Sequence, residues 1–230
     1  MRHPFCSGYG SAPWRRLVED FPSTDAYPQT DFRTEWGPIF HRGRLNGSAR
    51  VLLIGQDPAQ HETIVRRVLV GEAGQRIQGF LSKLGLDQSY LFVNTFLYSV
   101  YGRGGERHVT EPGIATYRNR WLDAVRSRNQ LQAVVTLGHL ADLAYQAWPG
   151  SAQATWTYAN VLHPTYPDSA AASGTITFAD AMLRLTQSWN QALEALTSGP
   201  QAVTPDAPRP LVPYGAARLR ITAFPYLPYP

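Results

Sequence analysis

The chain has 230 residues, 43% of them hydrophobic, with a formal charge of +4 from 21 basic and 17 acidic residues. That is enough apolar mass for a full core, while a single cysteine, Cys6, excludes an internal disulfide and a cysteine-held zinc or iron–sulfur centre. No apolar run approaches the roughly 20 residues of a membrane span, and the opening MRHPFCSGYG lacks the apolar stretch of a secretory signal, so a cytoplasmic protein without membrane contact is expected. Lys83 is the only lysine. Arginine's planar fork suits paired donation to phosphates, but a GC-rich genome writes the same bias, so the charge permits nucleic-acid binding without demonstrating it.

Residues 1–50 hold one short helical pattern at 14–21, then a segment broken by Pro22, Pro28 and Pro38 that reads as a strap packed on the domain. Tyr27, Phe32, Trp36 and Phe40 stud the strap, either as anchors to a core or as the wall of a cleft. From residue 51 the pattern changes. Residues 51–55 (VLLIG), 90–94 (YLFVN), 133–137 (AVVTL) and 155–162 (TWTYANVL) read as strands, the first three being the near-continuous apolar runs of strands covered on both faces. Residues 74–84, 112–128, 138–148 and 177–196 read as helices. This alternation predicts one α/β domain over residues 51–198, three layers deep (αβα), around a central four-stranded, mainly parallel sheet with right-handed crossovers. Residues 199–230 form a Pro-rich tail unsuited to a helix or an interior strand. Its apolar, aromatic end predicts that it docks back on the domain.

Open α/β sheets bind ligands outside the carboxyl ends of their strands. The four strand ends here run into Gly55-Gln56-Asp57-Pro58-Ala59, Asn94, Gly138-His139 and His163-Pro164-Thr165. A carboxylate, a carboxamide and an imidazole therefore converge on one rim. Each alone has an ordinary explanation, since Asp-Pro and Asn are turn formers and His-Pro is common in loops; their joint occurrence at strand ends is what singles them out.

Those segments carry a resemblance. GQDPA at 55–59 is similar to the first signature of the uracil-DNA glycosylases, whose main family continues with an aromatic residue and His. LFVNTFLYSV at 91–100 resembles the block whose Asn reads uracil, and HPTYPDS at 163–169 resembles the loop bearing a catalytic His and a DNA-penetrating wedge. RRVLVGEAGQRIQGFLSKLG at 66–85 is closer to the iron–sulfur branch. The resemblance covers residues 51–169 and implies a DNA-repair enzyme that flips uracil out of single- or double-stranded DNA and hydrolyses its glycosidic bond, as a monomer needing no metal or organic cofactor. It makes Asp57 the group that stabilises the sugar cation and activates water, and His163 the donor to uracil O2. Asn94 would pair with N3–H and O4, and Gln56 would add a backbone amide. The loop after His163 would meet DNA through Thr165, Tyr166, Pro167 and Ser169, with Tyr166 and Pro167 as the wedge. The basic loop RGGERH at 103–108 would bring Arg103 and Arg107 to phosphates, with Arg66 and Arg67 as further candidates, unless these are merely solvated surface arginines.

Two departures stand out. Ala59 replaces the aromatic residue that bars thymine in the main family, and Glu62 either takes over that guard, as in the iron–sulfur branch, or is a helix-start acid. Leu69 stands where a stacking aromatic is expected, with Phe80 a candidate substitute. Three alternatives remain open at this level: a uracil-DNA binding protein with little turnover, a glycosylase of broader deaminated-base specificity, and a hydrolase of a small nucleoside on the same fold.

Overall fold

The computed structural model describes residue 9 and residues 12–102 and 104–215. Its elements run in chain order as α1 (Trp14–Glu19), β1 (Phe32–Arg33), β2 (His41–Gly43), β3 (Val51–Gly55), α2 (Gln60–Val65), α3 (Gly71–Lys83), β4 (Tyr90–Asn94), β5 (Ser99–Val100), α4 (Pro112–Arg128), β6 (Ala133–Leu137), α5 (His139–Gln146), β7 (Thr157–Val161), α6 (Tyr166–Ala172) and α7 (Phe178–Thr197).

The main sheet has the order β2-β4-β3-β6-β7. The β3–β4, β3–β6 and β6–β7 pairs are parallel, and β2 lies antiparallel on the edge of β4. Side chains leave a strand on alternate faces, and here that alternation builds two cores. Leu52, Ile54, Leu91, Val93 and Val134 pack with Trp14, Trp121, Val125 and Ala141, on the side of α1, α4 and α5. Val51, Leu53, Phe92, Val135 and Leu137 pack with Ile77, Phe80, Leu185 and Trp189, on the side of α3 and α7. The molecule is therefore the expected αβα sandwich.

The sheet has five strands, not four. The fifth, β2, comes from the strap, in register His41↔Val93, Arg42↔Phe92 and Gly43↔Leu91. Its three residues, His-Arg-Gly, have no apolar alternation to betray a strand, and a short charged segment is what a sheet edge favours. The strap also contributes β1, which pairs antiparallel with β5. Local signals place two helix starts: Pro112 opens α4, and Thr177 Oγ1 caps α7 by accepting from the Asp180 N–H at 3.1 Å.

Beyond α7 the chain returns to the domain. The Val203 N–H donates to the Leu196 carbonyl. Asp206 accepts from the N–H groups of Asp87 (2.8 Å), Gln88 (2.7 Å) and Ser89 (3.0 Å) and pairs with Arg50. Tyr214 is buried against Trp189. The last aromatic segment of the tail, LRITAFPYLPYP, lies outside the described residues.

Candidate active site

Strands β3 and β4 end side by side, with Gly55 in register with Asn94. A Cβ at residue 55 would overlap Asn94 Oδ1, so glycine there is what lets the carboxamide lie across the end of β3. The Leu69 side chain closes over the same spot. Leu69 itself is buried with φ of +52°, a costly conformation for a non-glycine residue. Its carbonyl oxygen accepts from Arg42 and presses on α3 where Gly74 leaves no room for a Cβ. Backbone strain thus sits beside the Asn94 carboxamide.

Asp57 follows two residues after β3. Its Oδ2 accepts from the Val100 N–H at 2.8 Å, so the β1–β5 ladder holds the carboxylate from the strap side. Burial raises its pKa to about 6, against the hydrogen bonds from Val100 and the Gln56 side chain that lower it; the Glu62 charge raises it further, and Arg33 opposes. Arg33 donates to Ser99 Oγ (3.3 Å) and the Val100 carbonyl (3.1 Å) and stacks on Trp36 and Tyr101.

His163 leaves β7 two strands from Asp57. The Gly138 backbone packs against it, a Cβ at residue 138 falling 3.1 Å from His163 Cβ. The Thr165 N–H donates to Nδ1 at 3.3 Å, with the Thr165 hydroxyl at 2.9 Å. An Nδ1 that accepts leaves the ring proton on Nε2. Burial, then the charge of Arg76, lower the His163 pKa to about 4, so at neutral pH the ring is an uncharged Nε2–H donor. Arg76 carries no role in the sequence reading above; the signal was a lone charge on the apolar face that Ile77, Phe80 and Leu81 give α3.

The other expected residues divide. Ala59 is exposed at the start of α2. Glu62 is buried at 4% exposure, and its Oε2 accepts from the Ala59 N–H at 3.0 Å. Burial raises its pKa, against hydrogen bonds from backbone groups including Ala59 and Val70. It is neither an exposed helix-start acid nor a free carboxylate. Phe80 is fully buried, edge-on to Trp189 at 5.5 Å, so it offers no face to a base: the apolar stripe of α3 draws it into the core. The expected Tyr166–Pro167 loop is instead the first turn of α6, which proline's fixed φ suits. Pro167 is buried there and Tyr166 half-buried. The Thr165 hydroxyl is spent on His163, and the Ser169 hydroxyl donates to the Tyr166 carbonyl at 3.1 Å. Arg107 is exposed but ion-paired with Asp31, and Arg66 is bound to the Trp36 and Pro38 carbonyls. Arg103 lies outside the described residues.

A carboxylate, a carboxamide and a neutral imidazole thus stand at the carboxyl rim of the parallel strands. The family model described as the uracil DNA glycosylase superfamily matches residues 42–186, and the chain belongs to that superfamily of DNA glycosylases. Comparison with curated protein sequences gives no match.

Proposed function

We propose that the protein is a monofunctional uracil-DNA glycosylase, acting as a cytoplasmic monomer, that flips uracil from DNA and hydrolyses its N-glycosidic bond to leave an abasic site. The observation that carries this reading is the state of His163: a half-buried, neutral ring whose Nδ1 accepts from Thr165, which leaves the proton on Nε2 as the donor. When the bond between C1′ and N1 breaks, its electron pair goes to the base and positive charge develops on the sugar. A neutral donor beside O2 stabilises the departing base without having to transfer a proton. Asp57, ionised above about pH 6, stabilises the sugar cation and takes the proton of the water that adds to C1′. Asn94 accepts from N3–H and donates to O4, a pattern that cytosine reverses.

Specificity broader than uracil is favoured by one observation. Ala59 is small, and the Glu62 carboxylate is engaged with backbone N–H groups, so neither supplies a bulky guard against a C5 methyl group. An end-labelled oligonucleotide bearing one uracil, incubated with the protein and then treated with alkali, tests the main reading. Cleavage with free uracil is expected; intact strand and no free base would refute it. Parallel strands bearing thymine mispairs, hypoxanthine or xanthine measure the breadth.

A further inference from the structure

Arg76 is 2% exposed on the inner face of α3. A guanidinium is buried at high cost unless its donors are used, and the use made of them here is specific. Nη1 donates to the Pro164 carbonyl oxygen and, at 3.1 Å, to Asp168 Oδ2, residues 88 and 92 positions further along the chain. Nη2 donates to Glu72, one turn back on the same helix. Pro164 directly follows His163, and Asp168 stands in the first turn of α6. The guanidinium therefore clasps the turn between β7 and α6, the turn that carries the His163 ring. From the β6 side the His163 backbone and Cβ rest on Gly138, and from its own loop the ring is held by Thr165. Arg76 is the charged group whose field bears on it; the carboxylates of Glu72 and Asp168 are 45% and 47% exposed and screened by water.

We propose that Arg76 is a positioning residue for base release, setting from α3 where the His163 ring stands relative to the departing base. The proposal rests on His163 being the donor to that base. A fixed cation behind an imidazole also opposes a second proton on it, so the same side chain that places the ring keeps it neutral. Lysine cannot replace this function fully: a single ammonium supplies the charge but not the fork that reaches Pro164, Asp168 and Glu72 together.

Arg76→Met keeps the length of the side chain and removes charge and donors; Arg76→Lys keeps the charge alone. In single-turnover assays on uracil-containing DNA, Arg76→Met is expected to slow the chemical step on the order of 100-fold, the scale of a displacement of about 1 Å, with DNA affinity unchanged. In a His163→Ala background the same change should add nothing, because the ring it positions is gone. Long-range proton–nitrogen NMR reads the ring directly. Wild-type His163 should hold its proton on Nε2 and stay neutral down to about pH 4, its titration should move upward in Arg76→Met, and it should stay in place in Arg76→Lys while the rate falls partway. Losses that add to that of His163→Ala, or an unmoved titration in folded Arg76→Met, would overturn the proposal. Should Arg76→Met fail to fold, Arg76→Lys in the same cycle decides, additivity again counting against it. The NMR titration needs no turnover, so a wild-type protein that released no uracil would remove the functional reading and still leave the role of Arg76 to be decided by the spectrum.

Discussion

Asp57 and His163 are shifted in opposite senses by the same cause, burial, and the shifts suit opposite tasks: a carboxylate raised to about 6 and an imidazole lowered to about 4. Because Asp57 must be ionised to act, the rate of base release should rise with pH and level off above about 6; a flat profile between pH 5 and 8 would remove Asp57 from the chemistry. The same shift has a consequence for stability. A carboxyl whose folded pKa lies above its unfolded value near 3.8 contributes stability that is complete below that value and is lost as pH rises through about 6. Asp57→Asn should therefore lose most of the activity and gain up to roughly 3 kcal/mol at pH 7, a gain that shrinks toward pH 4 and is measurable as a pH-dependent rise in Tm. Gly55 offers the reverse dissociation. In Gly55→Ala the new methyl group would displace the end of a side chain, Asn94, and no backbone, so the cost in stability should stay below about 1 kcal/mol. Uracil release should fall on the order of 100-fold as the carboxamide swings away, and equal losses of stability and activity would contradict this account.

At the scale of elements, the site is assembled by segments with little secondary structure of their own. The strap supplies β1, which backs the Val100 N–H that Asp57 accepts, and β2, whose Arg42 holds the Leu69 carbonyl. The tail secures the far end of the sheet: a single carboxylate, Asp206, accepts three consecutive N–H groups ahead of β4 and pairs with Arg50 ahead of β3. Asp206→Ala strands those donors and should cost on the order of 2–3 kcal/mol, read as a lower denaturation midpoint and as faster amide exchange at residues 87–89. Unchanged exchange there would mean that the tail does not depend on this carboxylate. The inner strands β3, β4 and β6 were legible, with the same ends as in the structure, because strands covered on both faces must be apolar throughout. β2, α2 and α6 were not: the three residues of β2 carry no apolar alternation, the exposed face of α2 shows no apolar stripe, and the prolines of HPTYPDS read as a loop although one of them sits where a helix accepts it.

At the scale of the molecule, the proposed substrate is a polyanion that must reach the rim carrying Asp57, Asn94 and His163. Each phosphate neutralised contributes about −0.9 to the slope of log affinity against log salt. Binding to uracil-containing duplex should show a slope steeper than about −2, and a salt-independent affinity would argue for a small-molecule substrate. The sequence by itself determined the alternation of strands and helices, and with it the rim on which residues 106 positions apart, Asp57 and His163, meet. Both follow from local periodicity and from the rule that parallel strands present their carboxyl ends together. Only the tertiary structure decided how the named side chains are buried and bonded. Phe80 is drawn inward against Trp189, Arg107 is claimed by Asp31, and Arg76, marked in the sequence only as a lone charge on an apolar helix face, reaches across 88 residues to the turn that holds His163. Burial and hydrogen-bond allegiance depend on contacts between distant segments, and no local pattern encodes them.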